Sequence, residues 1–223
     1  MKTRAELKMM AKEQIRGNIG ILFLVSLIIF AISFLAGLIL SLIPAVGSLI
    51  ASVIVTPAFT LSIARIYLNL ANGQRPEVKD TFSGFDDFWT AFKTTFLVGL
   101  FTFLWSLLFV IPGIIKAISY SQAMYIVAEN KGIGALEAIN RSKAMMEGHK
   151  MDYFVLGLSF IGWAILGYFT LGILYIWLIP YMSATQVNFY NDLKPVVEEE
   201  PVAETPVAEE PAAEPVEEEK TEE

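Results

Sequence analysis

Residues 17–64 read GNIGILFLVSLIIFAISFLAGLILSLIPAVGSLIASVIVTPAFTLSIA, 48 positions between Arg16 and Arg65 without one charged side chain. The hydrocarbon core of a bilayer takes about 20 apolar residues of helix, so this run has room for two spans and a tight connection. Pro44-Ala45-Val46-Gly47 supplies the connection, because Pro ends a helix and Gly turns the chain freely. The predicted spans are residues 19–43 and 49–70. A cleavable leader has an apolar run of only about 7–15 residues, so this segment is expected to remain in the mature protein.

The same argument extends outward. Between Asp152 and Asp192 lie 39 uncharged residues, which predict spans at 153–169 and 173–190 around a turn at Thr170-Leu171-Gly172. The middle is ambiguous, because Thr94 to Ile115 is uncharged for 22 residues, Lys116 interrupts, and Ala117 to Ala128 adds 12 more. One reading is a short hairpin of spans 96–110 and 113–128 with Ile111-Pro112-Gly113 at its tip. The other is a single helix kinked at Pro112. Charge favours the hairpin. With three hairpins, the segments Lys2–Arg16, Arg75–Lys93 and Lys131–Lys150 and the C-terminal tail share one side, and the excess of Lys and Arg makes that side cytoplasmic for both termini. The expected fold is therefore an all-α polytopic membrane protein with about six transmembrane helices in three hairpins.

Composition agrees. The 223 residues are 55% hydrophobic and 17% charged, against about 25% charged in a soluble domain, and the mean hydropathy is +0.55. One water-soluble core cannot hide so much apolar sequence. The net charge of −7 averages two unlike parts: residues 1–190 carry 14 Lys and Arg against 10 Asp and Glu, whereas residues 191–223 carry 2 against 13. Absence of cysteine removes disulfides and thiolate metal sites. The domain boundary is placed at 193/194, and residues 194–223, rich in Pro and Glu, are expected to be disordered, because they hold too little apolar surface to offset ordering entropy.

Amphipathic segments are expected beside the spans. Ala11-Lys12-Glu13-Gln14-Ile15-Arg16-Gly17-Asn18 and Ser142-Lys143-Ala144-Met145-Met146-Glu147-Gly148-His149 share a pattern, and each leads into an apolar run. Before the middle hairpin, Phe85, Phe88, Trp89 and Phe92 fall at i, i+3, i+4, i+7, one helical face. In the first hairpin Ser33, Gly37 and Ser41, and then Ser48, Ser52, Thr56, Thr60 and Ala64, are spaced by four. Small residues so placed let helices approach closely. They read as a packing seam within the chain, with a homodimer face or a polar path as the sharper alternative.

Chemistry-bearing residues are few. The spans hold no Asp or Glu, only Arg65 and Lys116, which read as cations reaching for the surface or as contacts to lipid phosphate, together with Lys12, Arg16, Lys143 and Lys150. No phosphate loop, H-E-x-x-H, G-x-S-x-G or cysteine nucleophile occurs, so no catalytic, cofactor or metal residue is assigned. His149 and the pair Asp86-Asp87 read as solvated. Tyr120, Gln122, Tyr125, Gln186, Asn188 and Tyr190 either line a hydrated cavity or bond helix to helix.

The segments Arg4-Ala5-Glu6-Leu7-Lys8, residues 104–130 (LWSLLFVIPGIIKAISYSQAMYIVAEN), residues 138–150 (AINRSKAMMEGHK) and the late runs LSFIGWAIL and LIPYMSATQVNFY resemble a bacterial integral-membrane family, the domain of unknown function 975 family. The resemblance covers about residues 1–193. It implies a plasma-membrane protein and supplies no activity or site residues. The expected function is non-enzymatic, through contacts with membrane lipids or with a protein partner that meets the basic cytoplasmic face or the acidic tail, without nucleic acid, and with oligomers possible. A small-solute transporter or channel component is the alternative.

Overall fold

The computed structural model describes residues 2–40 and 47–198, and among these the chain is entirely helical. The helices are α1 (Arg4–Ile15), α2 (Ile19–Leu40), α3 (Gly47–Ala71), α4 (Phe88–Leu108), α5 (Val110–Tyr120), α6 (Ala123–Glu129), α7 (Ala135–Met145), α8 (Lys150–Leu158), α9 (Ile161–Phe169) and α10 (Tyr175–Glu198). A 3-10 helix, Val78–Phe85, joins α3 to α4. Four stretches among the described residues are long and apolar enough to cross a membrane: Ile19–Ile39, Phe88–Leu107, Val110–Glu129 and Lys150–Phe169.

Each boundary has a local cause. At the start of α1, the Glu6 amide donates to Thr3 Oγ1 (3.3 Å) and the Thr3 amide to Glu6 Oε2 (2.7 Å), a reciprocal cap. The chain leaves α1 through Gly17 at φ +83°, a left-handed angle that favours glycine. Phe109 is extended (φ −158°, ψ 147°), which ends α4, and Pro112 then sits in the first turn of α5, where a missing amide costs nothing. The chain folds back there: a Cβ on Gly113 would stand 2.9 Å from the Ser106 Cα. After α9 the turn closes with the Gly172 amide on the Gly167 carbonyl (3.0 Å), and Gly167 lies so close to the Tyr175 ring that a Cβ would meet it at 2.9 Å.

Packing divides the molecule. The main buried cluster gathers Leu7, Ala11 and Ile15 of α1, Ile66, Tyr67 and Leu70 of α3, Ile126 and Val127 of α6, Met145 and Met146 around the end of α7, and Ala184, Val187, Phe189 and Leu193 of α10. Large apolar residues elsewhere face outward, among them Phe30, Phe34 and Ile39 on α2, Phe103 and Leu107 on α4, Ile111 on α5, and Ile165 and Phe169 on α9. A helix apolar all round belongs in a lipid solvent. The polar-ended base is closed by its own core, and the rest presents apolar side chains to its surroundings.

Several expected boundaries move. The middle aromatic segment is not a separate interfacial helix: Phe85 ends the 3-10 helix, and Phe88, Trp89 and Phe92 open α4, eight residues before the expected start at 96. The cause is Gly84, whose amide bonds to Ser62 Oγ (2.9 Å) and where a Cβ would stand 2.0 Å from the Ala58 carbonyl, pinning the turn against α3. The expected span 113–128 is broken at Ser121-Gln122 into α5 and α6, and 153–169 at Ser159-Phe160 into α8 and α9. Helix α10 continues past the expected boundary at Leu193 to Glu198. The expected turn at Pro44-Ala45-Val46, the seam residue Ser41 and tail residues 199–223 lie outside the described residues.

Candidate functional site

Basic residues collect around the base. Helix α1 buries Leu7, Ala11 and Ile15, at i, i+4 and i+8, and leaves Arg4, Lys12 and Arg16 exposed. It packs on α10, where Gln14 Nε2 donates to Asn188 Oδ1 (2.9 Å) and Asn188 Nδ2 to the Leu7 carbonyl (3.3 Å). Lys12 holds its ammonium 5.8 Å from the centre of the Tyr181 ring. Lys8 is 4.2 Å from the Phe160 ring centre and donates to the Ser159 carbonyl (3.4 Å), a carbonyl at the α8–α9 break. Desolvation, then the neighbouring Arg4 and Lys12 charges, pull its pKa below that of an ordinary lysine.

Helix α7 repeats the arrangement, burying Ala135, Ala138, Ile139, Ser142 and Met145 and exposing Arg141 and Lys143. Arg141 pairs with Glu137 (2.7 Å) one turn earlier. Ser142 works inward: its hydroxyl donates to the Ser119 carbonyl (2.9 Å) and accepts from the Gln122 amide (3.1 Å), so it satisfies backbone groups that the α5–α6 break sets free. Lys150 opens α8 half-buried and has no ion pair among the described residues.

The two cations expected within spans are both engaged. Arg65, nearly buried, pairs with Asp87 and donates to the Ser83 carbonyl, tying α3 to the 3-10 helix and the start of α4. Asp87 is thus an ion-pair partner rather than the solvated charge expected for it, while Asp86 is exposed. Lys116 lies 4.5 Å from the centre of the Trp105 ring, a cation–π contact across the α4–α5 pair.

The polar residues of the late helices bond element to element. Tyr125 reaches Gln186 (3.4 Å), Tyr190 donates to Glu129 (2.8 Å), and Asn188 meets α1 as above. Gln122 Oε1 is the exception, buried without a hydrogen-bond partner among the described residues, and Tyr120 is buried beside Phe101. His149 Nδ1 is 3.5 Å from Asp152, too far for a good hydrogen bond. Among the described residues no three of His, Asp and Glu gather as a metal site would require.

The small-residue pattern is not one buried seam. Ala64 is buried and Thr60 half-buried, its hydroxyl turned to the Thr56 carbonyl (2.7 Å). Ser33 and Thr56 are exposed, and nothing among the described residues lies within 4 Å of a Cβ built on Gly37. Ser48 and Ser52 belong to α3, but their side chains are outside the description.

The chain belongs to the family described as protein of unknown function (DUF975), which matches residues 1–119 and 107–196. No curated protein and no solved structure matches it.

Proposed function

Starting from membership of a family without an assigned activity, we propose that this is a non-enzymatic plasma-membrane protein acting through lipid or protein contacts at a basic cytoplasmic face. Its spans form three hairpins, and both termini are cytoplasmic. The observation that carries the reading is the shared construction of α1 and α7: each buries an apolar stripe in the base and turns its basic side chains outward. A basic residue beside an anionic membrane is worth about 1 kcal/mol, so Lys2, Arg4, Lys12, Arg16, Arg141, Lys143 and Lys150 together make a strong attraction. The folding back at Phe109 and at Gly167–Tyr175 supports hairpins in the second and third pairs.

The test is photo-crosslinking of the full chain in native membranes from positions on α1 and α7, with Lys12, Arg16, Arg141 and Lys143 intact or replaced by Gln. Crosslinks to anionic lipid or to one protein should fall on neutralisation. An unchanged pattern overturns the proposal. A second reading, a component of a small-solute carrier, rests on Gln122, a buried amide oxygen without a partner among the described residues, at an interrupted helix. Solute flux in proteoliposomes that Gln122→Leu abolishes would favour it.

A further inference from the structure

Helix α5 carries Ile111, Ile114, Ile115 and Ile118 at i, i+3, i+4 and i+7, one face that extends about 10 Å along the axis at the standard rise. Across from it α8 presents Lys150, Met151 and Phe154, and the two helices pack while leaving an open groove of about 370 Å³ lined by these seven residues. The size falls within the range of small-molecule sites, about 300–1,000 Å³. The groove is otherwise apolar, and Lys150 belongs to the polar base. Its ammonium has no ion pair among the described residues, and the adjacent Asp152 carboxylate stands beside His149 instead. An elongated apolar trough edged by Lys150, which has no ion pair among the described residues, is complementary to an acyl chain attached to a phosphodiester. We propose that this groove is a binding site for a cytoplasmic-leaflet phospholipid, its acyl chain along the isoleucine face of α5 and its phosphate on Lys150. The site deepens the functional reading above and rests on the base being cytoplasmic.

The two claims fail separately. Full-length protein in mild detergent with added phosphatidylglycerol is examined by native mass spectrometry. Wild-type chain should hold one adduct under activation that strips loosely bound lipid. Ile115→Trp and Met151→Trp fill the trough from opposite walls, and each should weaken that adduct at least about tenfold. Lys150→Glu should do the same, about the loss of one charge-assisted hydrogen bond. Ile165→Trp, on exposed apolar surface of α9 outside the trough, should leave it intact. Unchanged helical circular dichroism and elution volume show that each variant is folded, and two independent obstructions protect against failure of one. If both trough-filling variants keep the adduct, or Ile165→Trp loses it equally, the site is overturned. Neutralising Lys12, Arg16 and Lys143 leaves the trough untouched, so loss of crosslinks with retention of the adduct would sink the functional reading alone.

Discussion

Arg65 and Asp87 show what one ion pair does in an apolar setting. Arg65 is shielded from solvent and Asp87 largely so, and removing either partner strands the other's charge. Asp87→Ala is expected to destabilise the folded chain by about 2–3 kcal/mol, somewhat below the range for a fully buried pair because Asp87 keeps some solvent. The double variant Arg65→Met with Asp87→Ala should recover most of that loss, since no unpaired charge remains. Thermal unfolding in detergent of the two single variants and the double separates the outcomes, and purely additive losses would mean that the pair is not coupled.

At the scale of the helix, interruptions are held open by partners from elsewhere. Ser142→Ala removes the hydroxyl that serves both the Ser119 carbonyl and the Gln122 amide. Leaving buried backbone groups without partners costs about 1–3 kcal/mol, so this one-atom deletion should lower the unfolding midpoint and speed amide exchange at Gln122. Helix α1 depends on pH at its first turn. The Thr3 amide, then the Thr3 hydroxyl, hold the Glu6 pKa below that of an ordinary glutamate. A lowered folded-state pKa gives stability that is whole above the ordinary glutamate value and is lost as pH falls through the lowered one. Protection of the Glu6 and Leu7 amides, taken relative to the intrinsic exchange rate at each pH, should therefore fall on acidification, and Glu6→Gln should remove most of that pH response.

These same interruptions mark the limit of what sequence reveals. Long uncharged runs announce α2 and α3, the end of α9 and the start of α10 to within a few residues, because apolar length is a local property. The break at Ser121-Gln122 carries neither Pro nor Gly, and its support comes from Ser142, about twenty positions later. The break at Ser159-Phe160 is met by Lys8 from the other end of the chain. Arg65 and Asp87 are also too far apart in sequence for any helical spacing to pair them. The isoleucine face of α5 is, in sequence, only an apolar stripe, ordinary in a membrane helix until a facing element leaves it uncovered.

For the whole molecule, the expected topology can be tested without first removing native thiols, since the chain has no cysteine. Single cysteines at Lys12, Lys79 and Lys143 should react with a membrane-impermeant maleimide only from the cytoplasmic side. Cysteines at Phe109 and Leu171 should react only from the other side. Labelling of Phe109→Cys from the cytoplasm would contradict the central hairpin.

The union of α1 with α10 has a consequence for biosynthesis. Helix α1 leaves the ribosome well before α10, yet it packs against α10, with the Lys2 amide on Asp192 and Gln14 on Asn188, and such long-range closure is entropically slow. Until α10 is made, α1 must wait with the part of its apolar stripe that meets α10 uncovered. Its completed cap and its own basic side chains suit it to rest on the membrane surface until synthesis reaches α10 and the two helices meet.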